Sequence, residues 1–443
     1  MFEKNRMVKR TLYSWGAILS KLVLLALLIP VASNIFSTDD FLFWQLMQSI
    51  VILGMSLDLG LSPTFSRHFS YAGSLAIEQR LIRYGELYRN LRSLLNYRVL
   101  PATLVLSVVT YLMIFESIYA DEDNIYIFII YSSMVYFQIG IGSRLAIIYG
   151  MNKIEISKAI EISVFVLQFL ILLITLNLSD SLLIFSIVHL ITSVFGYLFL
   201  LCVISRFGFG TESCRSRDGT ILRESYSSGG GVILSQLIIH APPMLLSSRV
   251  DIGDLSFYLL VIRGAILLSQ VSSVFLYQAL PRINELEVLG RVSEQSDLVR
   301  RSLFASLIVY IIFGVVAVTL VPVFFDDIFG KLDYNSTIMI IVLVAFLLER
   351  VLAFMNQLEA VKSSVNWFST YLFSILSTLL VFWALSLIET SLLYSVVLAT
   401  IAGYIFSILV VKLPNIIKLY PNIVDLLGAT LALSLLCIVW SAF

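Results

Sequence analysis

Twelve uninterrupted apolar runs follow one another along the 443 residues, at 12–32, 41–65, 94–115, 125–148, 159–178, 181–203, 229–248, 255–280, 303–324, 336–358, 366–388 and 391–411. A helix needs about 20 apolar residues to cross the roughly 30 Å hydrocarbon core of a bilayer, so each run predicts a transmembrane helix. A further apolar run, 423–442, is either a thirteenth crossing or a helix lying along the surface. Continuous runs of this kind exclude an outer-membrane barrel, whose strands alternate polar and apolar residues over roughly 10 positions. Composition agrees, because 13% charged residues are too few to wet a soluble surface, which uses roughly 25%. The predicted fold class is an all-α polytopic membrane protein.

Lys plus Arg and Asp plus Glu each number 29, so the net charge is zero. That excludes a nucleic-acid binder resting on bulk positive charge. The distribution is far from even. Twenty-two of the 29 cations fall between spans on the side of the N-terminus, and only Arg249 and Lys331 fall between spans on the other. Thirteen of the 29 acids take that second side, including Glu116 and Asp121-Glu122-Asp123. The positive-inside rule then predicts a cytoplasmic N-terminus. No small-residue cleavage site precedes the first run, so the N-terminus is expected to be retained.

The loops on the anionic side are short. Three on the cationic side are long: 66–93, 204–228 and 281–302. The first and third lie six helices apart, and each opens with a proline and arginine at the membrane edge, Pro63 with Arg67 and Pro281 with Arg282. The expected organisation is a six-helix bundle over 1–203, a cytoplasmic linker over 204–228, a second six-helix bundle over 229–411, and a connector with the extra apolar helix over 412–443. Repeated halves around a central site are a common plan of secondary transporters. Gly229-Gly230-Gly231 reads as a hinge or a loop end, and Pro242-Pro243 as a kink.

Enzyme signatures are absent: there is no GxGxxG after a strand, no P-loop, no HExxH and no GxSxG. Cys202, Cys214 and Cys437 lack CxxC spacing, and His68, His189 and His240 are dispersed. Neither a metal nor a cofactor is expected, and the protein is not expected to be an enzyme. What remains is charge inside the membrane, which costs about 2.5 to 3.5 kcal/mol per group at mid-bilayer and therefore faces a bundle interior or a wet cavity. Lys21 lies ten residues into the first run and Arg263 is deep in the eighth. The alternative for each is snorkelling to an interface.

Arg263, Gln270, Ser273 and Tyr277 share one helical face, as do Gln236, His240, Pro243 and Ser247, and Gln45, Gln48, Ser49 and Ser56. Glu349 pairs in register with Asn356, and Arg350 with Gln357. These stripes predict a polar, partly cationic cavity, although interhelical hydrogen bonding also recruits Gln, Asn and Ser. Arg98, Arg144 and Glu161 are near the inner boundary and can snorkel. Asp58, beside Gly60, bonds backbone amides at a helix break or pairs with a cation. Phe41, Phe43 and Trp44 read as an interfacial aromatic belt.

Three passages resemble the polysaccharide and O-antigen flippases of the multidrug/oligosaccharidyl-lipid/polysaccharide (MOP) exporter superfamily. They are Phe43-Trp44-Gln45-Leu46-Met47-Gln48-Ser49-Ile50 leading to Leu57-Asp58-Leu59-Gly60-Leu61 and Arg67, then Tyr149-Gly150-Met151-Asn152-Lys153 with Lys158 and Ile160-Glu161-Ile162, and Tyr258 with Arg263 and Ala279-Leu280-Pro281-Arg282. The resemblance implies two six-helix bundles around a central cavity. It further implies alternating-access translocation of an undecaprenyl-diphosphate-linked oligosaccharide across the bacterial inner membrane, with a polysaccharide polymerase and a chain-length regulator as partners. Substrate would meet Lys21, Arg263, Gln48, His240 and Gln270. Asp58, Glu161 and Glu349 would be the carriers of a coupling ion. Two rivals stay open: a drug/cation antiporter of the same superfamily, which should carry a deep acid in its first helix where this chain has Lys21, and a membrane polysaccharide polymerase, which should have a large outer loop.

Overall fold

The computed structural model describes residues 13, 16–17, 19–20, 23–24, 27–73, 75–115, 122–207, 219–329, 332–361, 367–387, 391–420 and 423–441. Among them the secondary structure is helical throughout, and eleven helices are long and apolar enough to cross a membrane. The chain divides by packing into two compact units, Met1–Ser248 and Arg249–Phe443.

The first unit opens with helix α1 (27–35) and α2 (Thr38–Met55), the latter capped by Ser37, whose hydroxyl oxygen accepts the Asp40 amide at 3.1 Å. Asp39 and Asp40 in the first turn face the positive end of the helix dipole. A 3-10 turn (Ser56–Asp58) and two left-handed residues, Leu59 (φ 53°) and Gly60 (φ 72°), end this run, and α3 (Leu61–Ala72) continues beyond the break. The expected loop 66–93 is therefore mostly helix, comprising the end of α3 and α4 (Ile77–Leu94). α4 passes through a π-helical turn (Leu95–Val99) into α5 (Leu100–Phe115). Next come α6 (Glu122–Gly150), α7 (Ile154–Leu178), α8 (Leu182–Ser205) and α9 (Gly219–Leu246). Asn152 (φ 62°) stops α6: the Lys153 amide donates to Ile148 O and the Asn152 amide to Tyr149 O, the paired bonds of a Schellman motif.

α2 is the central helix of this unit, with 72% of its most apolar stretch buried. It packs on α6 closely enough that a Cβ at Gly54 would come within 2.6 Å of Val135. Phe41, Phe43 and Trp44, expected at an interface, are buried, and Trp44 meets Phe36 and Phe185 edge-on. The reason is that most of α2 is covered by protein, so its end rings contact neighbouring aromatic side chains and not headgroups.

α9 also packs in the first unit, on α2 and α3. The division by packing thus falls one helix later than the linker at 204–228. Gly229-Gly230-Gly231 lies inside α9, which stays helical through Pro242 and Pro243.

In the second unit, α10 (Ile252–Val288) and α11 (Val292–Phe329) absorb the expected loop 281–302. With 37 and 38 residues they reach about 55 Å at roughly 1.5 Å per residue, well beyond a hydrocarbon core. Gly290 (φ 67°) separates them in a second Schellman stop, with the Arg291 amide on Leu286 O and the Gly290 amide on Glu287 O. α12 (Ser336–Val361) is central, with 78% of its apolar stretch buried. α13 (Trp367–Ser386) packs through small residues on α14 (Leu392–Phe406), where a Cβ at Gly403 would meet Thr378 at 2.2 Å, and on the residue that follows it, the Ser374 and Ser407 hydroxyls being 2.6 Å apart. A π-helical segment (Ser407–Lys412) leads into α15 (Leu413–Leu419). The extra apolar run forms α16 (Val424–Ser441) and packs along α12.

Candidate functional site

The polar stripes expected on the eighth and tenth spans come together in the second unit. The Gln357 side-chain amide donates to Tyr277 Oη at 2.8 Å, joining α12 to α10. Arg350 Nη1 reaches Ser269 O at 3.5 Å, and Nη2 lies 3.7 Å from Glu349 Oε2. Arg350, Gln357, Ser273, Ser306, Leu276 and Phe354 line a recess with about 190 Å³ of empty space, part of it open to the outside. Along α10, half-buried Arg263 and exposed Gln270 precede Tyr277, whose side chain is 53% exposed. Steps of seven residues keep these three on one face. A polar face left open within a membrane span is unsuited to lipid and suited to a wet path.

The expected sites of the first unit are placed differently. Asp58 resolves in favour of the helix break: its Oδ2 accepts the Ser62 amide at 2.9 Å and its Oδ1 accepts the Ser143 hydroxyl at 3.3 Å. The carboxylate therefore caps the start of α3, and no cation is paired with it among the described residues. Glu161 pairs with Lys158 at 2.7 Å, one helical turn away on α7. Gln48 is half-buried on α2, while His240 on α9 is fully buried, at 0% exposure. Lys21 lies outside the described residues.

Two buried cations carry structure that the sequence reading missed. Arg144, expected to snorkel, is 3% exposed. Its Nη1 donates to Gly140 O at 2.8 Å, its Nη2 to Tyr197 Oη at 3.0 Å, and its Cζ stands 4.2 Å from the Tyr197 ring centroid. Room for that ring exists because residue 140 is glycine; a Cβ there would sit 2.4 Å from Tyr197. The small residues Gly140, Gly142 and Ser143 before Arg144 were the available signal. Lys412, assigned to a connector, is instead buried in the second unit and ion-paired with Glu359 of α12. Its signal was the apolar sequence continuing on both sides of it, from Ile405 to Ile417.

Bundles of membrane-length helices with ionisable groups set inside them are the construction of a polytopic membrane protein. Comparison with solved structures identifies the fold. The lipid II flippase MurJ in an inward-closed conformation is similar with a TM-score of 0.64 over 97% of this chain and 98% of that chain, at 14% identity. An outward-facing multidrug resistance MATE family transporter of the MOP superfamily gives 0.60 over 93% and 95%, at 14% identity. A MOP superfamily transporter from Pyrococcus furiosus Vc1, described by the reverse polarity of its binding pocket, gives 0.57 over 91% and 94%, at 12% identity. No protein-family model and no curated protein sequence matches the chain. The chain has the fold of the MOP-superfamily transporters.

Proposed function

We propose that the protein is a flippase that carries an undecaprenyl-diphosphate-linked oligosaccharide, the repeat unit of O-antigen or a related surface glycan, across the bacterial inner membrane. Its N-terminus is cytoplasmic in this reading, and the cargo follows the open polar face of α10. The observation that carries the reading is the sign of the charge on that path. Arg263 stands on the face, Arg350 beside it is balanced by Glu349, and in the sequence the first apolar run holds Lys21 with no acid between 11 and 36. A diphosphate is bound by guanidinium and ammonium groups, most strongly where water is scarce. A cationic drug would need the opposite sign.

The test is charge reversal. In a strain that depends on this protein for its surface glycan, Lys21→Glu and Arg263→Glu should each abolish the glycan and accumulate its lipid-linked repeat unit. Unchanged glycan with both variants present in the membrane would overturn the reading, and resistance to cationic dyes lost by the same variants would replace it with drug export.

A further inference from the structure

The Arg350 guanidinium is poorly satisfied for a charge within a membrane span. It has five N–H donors, yet its contacts are the long ones to Ser269 O at 3.5 Å and Glu349 Oε2 at 3.7 Å, and its Nε is buried without a hydrogen-bond partner. With Glu349 as its counter-charge but no short bond, the guanidinium keeps donor capacity for a further partner. The recess beside it is lined by Ser273, Leu276, Ser306, Phe354 and Gln357, and the Ser273 hydroxyl donates to Gln270 O at 2.7 Å. At the edge of the site Gln357 holds the Tyr277 hydroxyl at 2.8 Å, and its own carbonyl oxygen is buried without a partner. The Tyr277 ring is thereby fixed while remaining half exposed, on the face shared with Arg263 and Gln270.

We propose that Arg350 and Tyr277, the latter held in place by Gln357, form an oxyanion subsite with an aromatic platform at the recess that Ser273 lines, in which one anionic oxygen of the cargo meets the Arg350 guanidinium and an adjoining sugar ring lies on Tyr277. The proposal rests on the flippase reading above and adds the group that reads the cargo. The ligand chemistry is a terminal oxygen of either the carrier's phosphate or a sugar carboxylate. A fixed, exposed tyrosine ring offers the flat apolar surface that the C–H face of a pyranose packs against.

The experiment uses the full chain in nanodiscs and three probes: undecaprenyl diphosphate, dodecyl glucuronide and the neutral dodecyl glucoside. Arg350→Gln, and Ser273→Leu, which fills the recess while keeping the arginine, should each weaken one anionic probe by about tenfold or more, measured on variants that still show a cooperative thermal transition above the assay temperature. Arg350→Lys should recover part of the loss, since it keeps the charge without the fork. Loss confined to undecaprenyl diphosphate assigns the recess to the carrier's phosphate. Loss confined to the glucuronide, shared by Tyr277→Leu, assigns it to an acidic sugar. If both variants bind both anionic probes within about twofold of the wild type while Arg263→Glu abolishes undecaprenyl diphosphate binding, the flippase reading stands and this subsite is overturned. If the wild type binds neither anionic probe, the flippase reading falls and takes the subsite with it.

Discussion

The ammonium of Lys412 and the carboxylate of Glu359 form an ion pair inside the second unit, and both side chains are almost wholly buried. The pair ties α12 to the π-helical segment Ser407–Lys412, one of the places where a span departs from regular α-geometry. Removing one member leaves an uncompensated charge in an apolar interior, which costs about 3 to 5 kcal/mol, whereas removing both is often close to neutral. Glu359→Gln and Lys412→Met should therefore each lower the unfolding midpoint strongly, and the double variant should be more stable than either. Thermal unfolding of the four purified proteins checks this; additive losses would contradict it.

A second prediction concerns the break in the first unit. Leu59 is left-handed, a conformation that costs an L-residue about 1 to 2 kcal/mol. It is covered by α9, where a Cβ at Gly229 would sit 2.1 Å from the Leu59 carbonyl carbon. Backbone meets backbone there, so no side chain can move aside. Gly229→Ala should destabilise the protein by about 1 to 3 kcal/mol through overpacking, more than Gly142→Ala, whose Cβ would have nothing within 4 Å. Equal effects of the two substitutions on the unfolding midpoint would contradict the contact.

Arg144 and Tyr197 make a third. The guanidinium uses its planar fork on Gly140 O and Tyr197 Oη while stacking on the same ring. Lysine cannot reproduce that geometry. Arg144→Lys should thus be destabilising although it preserves charge, and Tyr197→Phe should cost about 1 to 3 kcal/mol by leaving a buried donor without its acceptor. If Arg144→Lys unfolds at the wild-type temperature, the guanidinium is not held as described.

Asp58 supplies a fourth. Its carboxylate caps α3 through the Ser62 amide, a role that asparagine fills about as well and alanine does not, the difference being about 0.5 to 2 kcal/mol. Asp58→Asn should keep the fold near wild-type stability and Asp58→Ala should not. A transport assay on the asparagine variant then separates capping from ion coupling, since coupling requires a titratable or charged oxygen at this position.

The spans were legible because length and continuity of apolar sequence are set by the bilayer, one helix at a time. What surrounds each span was not, because lipid tails and neighbouring helices are equally apolar. Phe41, Phe43 and Trp44 show this: the same rings suit a belt or a buried seam, and only the packing of α1, α2 and α8 decides. The segment 66–93 read as a loop because its arginines raise its polarity, yet Arg67 lies on α3 and Arg80, Arg83, Arg89 and Arg92 lie on α4, whose apolar residues Tyr84, Leu87 and Leu91 are buried. Lys412 was misplaced for the related reason that a charge was taken to end a span; its partner Glu359 lies 53 residues away and no local pattern joins them. The joining of the α10 stripe to the α12 stripe was foreshadowed by periodicity, while the bond between Gln357 and Tyr277 required the tertiary structure.

The central claim is that anionic lipid-linked cargo crosses the membrane along a cationic path. Its most direct measurement is flipping in proteoliposomes: reconstituted protein, a fluorescent undecaprenyl-diphosphate oligosaccharide in the inner leaflet, and appearance of the oligosaccharide outside read by lectin binding or by an enzyme confined to the outer solution. The account predicts translocation by the wild type and its loss in Arg263→Glu. Equal translocation by wild type and Arg263→Glu, or none above protein-free vesicles by the wild type under either direction of an imposed ion gradient, would contradict it.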